Sequence, residues 1–296
     1  MTALDPPRTH VFPPVLTGRY DVVDGRIQTR SLESHVVDHC NLMCAECCSL
    51  SPLLPAWFAR PADVAAELEA AARVLSPSVF KLVGGEPTLH PELVELVQIA
   101  KRSQIAPRIS VTTNGLLLDR MPDALWQAVD AFTISLYPRP ALSSSSIAVI
   151  EAQAARFSVT LNWKKQDEFV GMNRPGEGGF GVCVDDDENQ RTYDACWLRE
   201  RCHIVRDGRF FTCTRPPHFH SLAQARGDDD GDFSGDGLLL DGASVDDVLQ
   251  YLRRPRPLKA CALCLGGSAP MGPHRQMTRD EVRTLTTTSS RLKILA

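Results

Sequence analysis

The sequence lacks any run of about 18 apolar residues that would read as a membrane-spanning helix. Its opening stretch, MTALDPPRTHVFPP, lacks the apolar centre of an export signal. It also lacks a strong charge excess: the net charge of −4 excludes the basic footprint of a general nucleic-acid binder. No internal repeat is present, so a solenoid or propeller is not expected. These absences predict a cytoplasmic protein with neither membrane nor nucleic acid as partner. With 296 residues and 43% hydrophobic content, the chain has room for one large α/β domain, or one such domain and a smaller one.

What is present in excess is cysteine, ten in all. Secreted disulfide scaffolds are short and exported, and neither property applies, so thiols for metal or for chemistry are expected. They fall in two groups. Cys40, Cys44, Cys47 and Cys48 come early; Cys196, Cys202, Cys213, Cys261 and Cys264 come late; Cys183 stands between them.

Along the chain, residues 1–30 read as an irregular, proline-rich lead-in. An alternation of strands and helices follows. Strands are expected at 34–39, 79–85, 108–115, 131–137 and 158–163, with 167–171 as a possible sixth. Helices are expected at 62–75, 91–103, 123–129 and 146–157. Repeated β–α units imply a parallel sheet with helices outside it. The fold class is therefore α/β, a partial (β/α)6 barrel over residues 31–175, with its site at the C-terminal strand ends. After residue 171 the rhythm stops at NRPGEGGFG, a loop or linker. Residues 176–296 read as a small cysteine-rich domain containing a hairpin at 202–213, turned by Asp207-Gly208, and a helix at 244–254 capped by Ser244 with Asp247.

Cys40, Cys44 and Cys47 form C-x3-C-x2-C. Three thiolates on one loop suit a [4Fe–4S] cluster with one iron left for an outside ligand. A zinc site would want four ligands, and adjacent Cys48 is poorly placed as the fourth; inert buried thiols are the remaining alternative. The spacing, directly after a strand, resembles the signature of radical S-adenosylmethionine enzymes. The next strand ends in Gly84-Gly85-Glu86-Pro87. In that family such a turn meets the methionine end of the cofactor: the glycines admit close approach of backbone to ligand, and the carboxylate can pair with an ammonium. Thr112, Thr113 and Asn114, and Ser135, end the following strands and are candidates for the cofactor's ribose and carboxylate, or for plain turn chemistry. The position the family often fills with an aromatic near the adenine holds Glu46. The resemblance implies reductive cleavage of S-adenosylmethionine to a 5′-deoxyadenosyl radical that takes a hydrogen atom from substrate.

The late group, Cys196-x5-Cys202-x10-Cys213 followed by Cys261-x2-Cys264, resembles the auxiliary-cluster domains called SPASM or, in the shorter form, Twitch. One auxiliary [4Fe–4S] cluster fits, giving two [4Fe–4S] clusters in the chain. Four of the five thiols would be ligands. The fifth, Cys202 or Cys261 in the arrangements the family uses, is either a spare buried cysteine or a hydrogen-atom donor that would turn abstraction into epimerisation. A structural zinc is the alternative here too.

The acidic runs VDDDE (184–188) and GDDDGDF (227–233) read as solvated loops, or as attraction for a polyamine-bearing substrate. The tail from Tyr251 to Met277 resembles that of enzymes that tailor aminoglycosides and aminocyclitols, among them epimerases acting on neomycin. A small polyamino sugar and an electron donor such as flavodoxin or ferredoxin are the implied partners. Epimerisation is expected first and aminocyclitol dehydrogenation second. Modification of a ribosomal peptide is a third reading, lowered by the 39 residues before Cys40. A non-catalytic iron–sulfur or zinc scaffold is a fourth, and it leaves Gly84–Pro87 unexplained. His218, His220 and His274 read as loop residues.

Overall fold

A computed structural model describes residues 20–176, 180–228 and 231–287. The lead-in is not irregular to residue 30: β1 (Val22–Val23) and β2 (Arg26–Thr29) form a hairpin. Asp24 and Gly25 take up its turn at positive φ, the short-turn chemistry that composition alone hides beneath the prolines. Residues 1–19 of that expectation lie outside the described residues.

The β–α alternation follows as expected: β3 (Leu32–Val37), α1 (Pro61–Val74), β4 (Leu75–Pro77), β5 (Phe80–Gly84), α2 (Leu93–Arg102), β6 (Ile109–Thr113), α3 (Asp123–Ala128), β7 (Ala131–Leu136), α4 (Ser144–Phe157) and β8 (Thr160–Lys165). Only β4 was not foreseen; it lies parallel to β2 in a small side sheet. Next come β9 (Glu168–Val170), α5 (Asp186–Ala195), β10 (Ile204–Arg206), β11 (Arg209–Phe211), α6 (Arg215–Arg226), β12 (Leu238–Leu239), α7 (Val245–Leu252), β13 (Met271–Pro273) and α8 (Arg279–Thr287).

The central sheet has the order β12-β11-β10-β3-β5-β6-β7-β8. It is parallel from β10 through β8; β11 runs against these strands, and β12, antiparallel to β11, runs with them. The fold is thus α/β on a mostly parallel sheet, an open partial barrel. Its sixth parallel strand is not the one expected. Residues 167–171 give β9, which pairs antiparallel with β13 in a separate ribbon. Only two residues part β8 from β9, and a parallel neighbour needs a long crossover. The sixth place is filled at the opposite edge by β10, from the hairpin that Asp207 and Gly208 turn at positive φ.

Register separates the two faces of the sheet. Leu32, Phe80, Leu82, Val111 and Phe132 are fully buried against the helices, each contributing ~1.5–3 kcal/mol by burial. The opposite face carries Glu33, Lys81, Ser110, Thr133, Asn162 and Lys164, aligned strand by strand. The interior of the partial barrel is therefore polar.

The late half packs into two hydrophobic clusters among the described residues. Val205, Phe210, Val248 and Tyr251 join the main core, and Leu50, Leu53 and Leu54 pack with Phe219, Leu222 and Phe233 in a second one. It is not poor in regular elements. VDDDE is not a free loop: Asp185 caps α5, accepting from the amides of Asp187 and Glu188 at 2.9 and 3.0 Å. The second acidic run follows α6 at its Gly227 C-cap, with Asp232 against His220 and Phe233 in the core; residues 229–230 lie outside the described residues. The helix at 244–254 forms as α7, with the full Ser244/Asp247 capping box.

One contact ties α1 to the late hairpin and carries a pH signature. The Gly208 amide donates to Glu67 at 3.2 Å, and burial pushes the Glu67 carboxyl up to about 7. A carboxyl raised above its ordinary value stabilises the fold while protonated, and that stability is lost as pH rises from the unfolded value through about 7. Glu67→Gln, neutral throughout, is expected to melt higher than the native protein near pH 8 and no higher near pH 4, in thermal unfolding followed across that range.

Candidate active site

The first cysteine loop leaves β3 through a buried ion pair. Arg206 on β10 grips Asp38 with two bonds of 2.6 and 2.8 Å, and the Trp57 ring lies 4.3 Å from the guanidinium. His218 packs against the same carboxylate at 3.8 Å. It is no loop residue: it sits in α6 with Nδ1 2.7 Å from the Thr214 carbonyl, and burial drops its pKa to about 3. Two residues beyond Asp38 the thiols begin. The Leu42 amide donates to Cys40 Sγ at 3.4 Å. Asn114 Nδ2 donates to Asn41 Oδ1 at 2.6 Å and lies 3.8 Å from the same sulfur. Cys47 Sγ lies 3.3 Å from Ser49 Oγ. Burial first, then the nearby charges of Glu86 and Cys47, pushes Cys40 up to about 12; burial, Cys47 and Cys40 raise Cys44. Three soft thiol donors on one loop suit an iron–sulfur core.

The glycine turn works differently from the expectation. A Cβ on Gly84 would stand 2.3 Å from the Val37 carbonyl oxygen, and one on Gly85 2.0 Å from that of His39. What approaches these glycines is the backbone leaving β3, and the amides of Gly85 and Glu86 bond to those same carbonyls. Nor is the Glu86 carboxylate offered to an ammonium. It is fully buried and accepts from the Thr88 amide and hydroxyl, the Thr113 hydroxyl and the Asn114 amide, at 2.5–3.1 Å. Glu86 and Thr113 thus lock the ends of β5 and β6 together. Pro87 starts a buried 3-10 turn, and Ser135 is engaged with Tyr137. The C-terminal strand ends do converge beside the thiols, and they present backbone and Asn114 there rather than free carboxylate and hydroxyl.

The chain also brings over this loop a segment the sequence gave no reason to place there. The backbone of Ala45 bonds to Arg275 and that of Met43 to Met277, Cys44 bridges to Gln276, and Gln276 Oε1 accepts from the Met43 amide at 3.1 Å. His274 Nε2 lies 3.2 Å from Cys44 Sγ, and its ring packs against Tyr137 and Phe169 at 4.8 and 5.3 Å. His274, read as a loop residue, touches a candidate ligand, and these three aromatics stand beside the loop where Glu46 lacks one. Glu46 accepts from the Asn173 amide.

The late cysteines sort themselves. Cys196, Cys213, Cys261 and Cys264 line one small cavity of about 30 Å3, walled otherwise by Tyr193, Leu198, Pro216 and Leu258 among others. Burial and their mutual charge raise Cys213 and Cys261. The Gly267 amide donates to Cys196 Sγ at 3.2 Å and the Gly266 amide to Cys264 Sγ at 3.3 Å. No three His, Cys, Asp or Glu side chains among the described residues are placed to hold a single metal ion. A structural zinc needs four donors converging on one point, whereas a four-iron cluster takes its thiolates on separate irons. Among the described residues neither cysteine group meets the first requirement.

Cys202 does not line that cavity, whereas Cys261 does. Beyond burial, the charges acting on the Cys202 thiol are those of Glu33, Lys81, Cys48 and Lys164, which places it against the polar inner face of the sheet. The Glu33–Lys81 pair there is 3.0 Å long. Cys48 faces the same space, under the charges of Cys47, Glu33, Arg215 and Lys164. Cys213 leaves the sheet beside Ile204 and Glu33, at the start of β3, and Cys40 leaves it beyond the end of β3. The lumen with its two thiols therefore lies between the cysteine groups. Cys183 does not line the four-cysteine cavity: its amide donates to the Ala262 carbonyl, beside Cys261, at 2.8 Å, and its thiol donates to the Asp185 carbonyl.

Residues 35–137 match the family described as the radical SAM superfamily. The GTP 3',8-cyclase of Microcystis aeruginosa is 33% identical over 103 residues, covering 33% of this chain and 31% of that protein. The enzyme of the same name from Chlorobaculum tepidum is 39% identical over 104 residues, covering 34% and 31%. The chain thus spans about a third of the length of these curated relatives. Among solved structures, BtrN in complex with AdoMet and 2-DOIA shares the fold, with a TM-score of 0.50 and 15% identity over 81% of this chain and 94% of that one. No helix among the described residues is long and apolar enough to cross a membrane. With its α/β sheet and its three-thiol loop, the chain matches the radical SAM superfamily over residues 35–137, and that family implies a [4Fe–4S] cluster and S-adenosylmethionine.

Proposed function

We propose that this protein is a radical SAM epimerase acting on a carbohydrate-like substrate of the aminoglycoside or aminocyclitol class. Cys40, Cys44 and Cys47 hold the cofactor's cluster, Cys196, Cys213, Cys261 and Cys264 hold an auxiliary [4Fe–4S] cluster, and Cys202 donates hydrogen. The observation that carries the reading is the sorting of the late thiols: four around one cavity, the fifth in the lumen beside Glu33, Lys81 and Lys164. The cofactor, when bound, supplies the radical that removes a hydrogen atom from substrate. Gly84–Pro87, Asn114 and Ser135 shape its bed. Glu33 binds a substrate amine, and Ser110, Thr133 and Asn162 bind hydroxyls. The Cys202 S–H gives its hydrogen atom to the opposite face of the substrate carbon; the thiyl left behind takes one electron and one proton to return to the thiol. The electron comes from a flavodoxin- or ferredoxin-class donor, and ten free thiols suit a reducing cytoplasm.

Dehydrogenation of an aminocyclitol is the second reading. A cluster with all four thiolates in place can take the substrate's electron, and BtrN, whose fold is shared, was captured with 2-DOIA. The name of the sequence relatives, GTP 3',8-cyclase, rests on matches covering about a third of each chain. The test is anaerobic incubation of reconstituted protein with dithionite and S-adenosylmethionine in D2O, with neomycin C, simpler aminocyclitols and GTP offered separately, read by mass spectrometry. Epimerisation gives an isomeric product with one solvent deuterium. Loss of two hydrogens favours dehydrogenation, and a cyclised nucleotide favours the activity of the relatives. 5′-Deoxyadenosine with every substrate untouched leaves the sugar class, or a peptide substrate, to be sought elsewhere; no cleavage of S-adenosylmethionine at all means a scaffold.

A further inference from the structure

Arg215 opens helix α6 two residues after Cys213 and is only 3% exposed. Its backbone amide donates to the Cys213 sulfur. Its guanidinium reaches the other cysteine group, donating to the carbonyls of Cys47 and Cys48 at 3.5 and 3.4 Å and to Asn173 Oδ1 at 2.6 Å. The Phe219 ring lies 4.5 Å from it. One residue therefore touches both cysteine groups.

Its charge has no visible counterpart. Arg206, the other deeply buried arginine, is matched by Asp38. Among the described residues no carboxylate comes within ion-pair distance of Arg215, and its Nε has no hydrogen-bond partner. A buried cation without an anion is costly. Thiolate-ligated four-iron clusters are anionic, and each gains a further negative charge on reduction. We infer that Arg215 is a positioning cation shared by the two cluster sites, set so that its single buried charge favours the reduced state of both. This rests on the reading that both cysteine groups hold four-iron clusters. The positive N-terminal end of α6 acts in the same direction at Cys213.

The experiment is an EPR-monitored redox titration, with iron counts, of anaerobically reconstituted native protein, Arg215→Lys and Arg215→Gln. Arg215→Gln is expected to lower the reduced-to-oxidised ratio of both clusters about tenfold at a fixed potential, ~59 mV for a one-electron couple. Arg215→Lys should stay near native, because the charge is kept. Native-like midpoints in Arg215→Gln, or equal shifts in the two variants, would overturn the proposal. Should Arg215→Gln load incompletely, Asn173→Ala decides. It keeps the charge but frees the guanidinium: a lowered midpoint for the first cluster supports the proposal, and an unmoved one ends it. Native protein holding only about four irons per chain refutes the auxiliary cluster itself, whereas full loading with unmoved midpoints refutes only the role of Arg215.

Discussion

Cys47→Ala protein, reconstituted anaerobically, is expected to hold about four fewer irons per chain than the native protein and to form 5′-deoxyadenosine at least ~1000-fold more slowly. The same holds for Cys40→Ala and Cys44→Ala. Three thiolates are the fewest that leave one iron open while fixing the other three, so a loop reduced to two has no stable arrangement for the cluster. Folding is a separate matter. The Asp38–Arg206 pair and the Asn114–Asn41 bond at the start of the loop, and the Ser49–Gly84 contact near its end, contain no cysteine. Far-ultraviolet circular dichroism and the unfolding midpoint should therefore change little, and the loss should be chemical. Native-like deoxyadenosine formation by any of the three variants would refute the assignment.

The second large effect separates two late cysteines that their spacing leaves equivalent. Cys202→Ala should keep its full iron and still form 5′-deoxyadenosine with substrate, while yield of the inverted product falls at least ~100-fold, because the S–H that returns the hydrogen atom is gone. Cys261→Ala should lose iron from the four-thiol cavity instead. Cys48 is the internal control. It faces the same lumen from the first loop, so if Cys48→Ala and not Cys202→Ala shows the split between abstraction and inversion, the donor has been placed on the wrong side of the substrate. Iron assay, deoxyadenosine quantification and product stereochemistry on the same preparations decide among these outcomes.

The first half of the chain was legible because its signals are periodic and local. The apolar faces of α1, α2 and α4 and the strands between them could be read off directly to residue 165, and the Asp207-Gly208 turn and Ser244 cap announced themselves. The failures are non-local. Residues 167–171 look like a strand and are one, but a two-residue link after β8 forbids the partner assumed for it. Helix α6 begins Arg215-Pro216-Pro217, which reads as a break although proline is tolerated in a first helical turn. At the site, spacing named the three early thiols but could not say that Glu86 would be saturated by Thr88, Thr113 and Asn114. Nor could it say that His274, 230 residues away, would meet Cys44. Which of Cys202 and Cys261 shares a cavity with Cys196, Cys213 and Cys264 depends on how distant segments pack, and no spacing encodes that.

The segment from residue 271 to residue 277, laid across the first cysteine loop, has a bearing on the order of manufacture. Cys44 is made 230 residues before His274, which comes to lie against it. Over that interval of synthesis the three thiols stand without this cover, accessible to whatever delivers iron and sulfide and equally to oxidants, and the interval closes when residues 271–277 emerge.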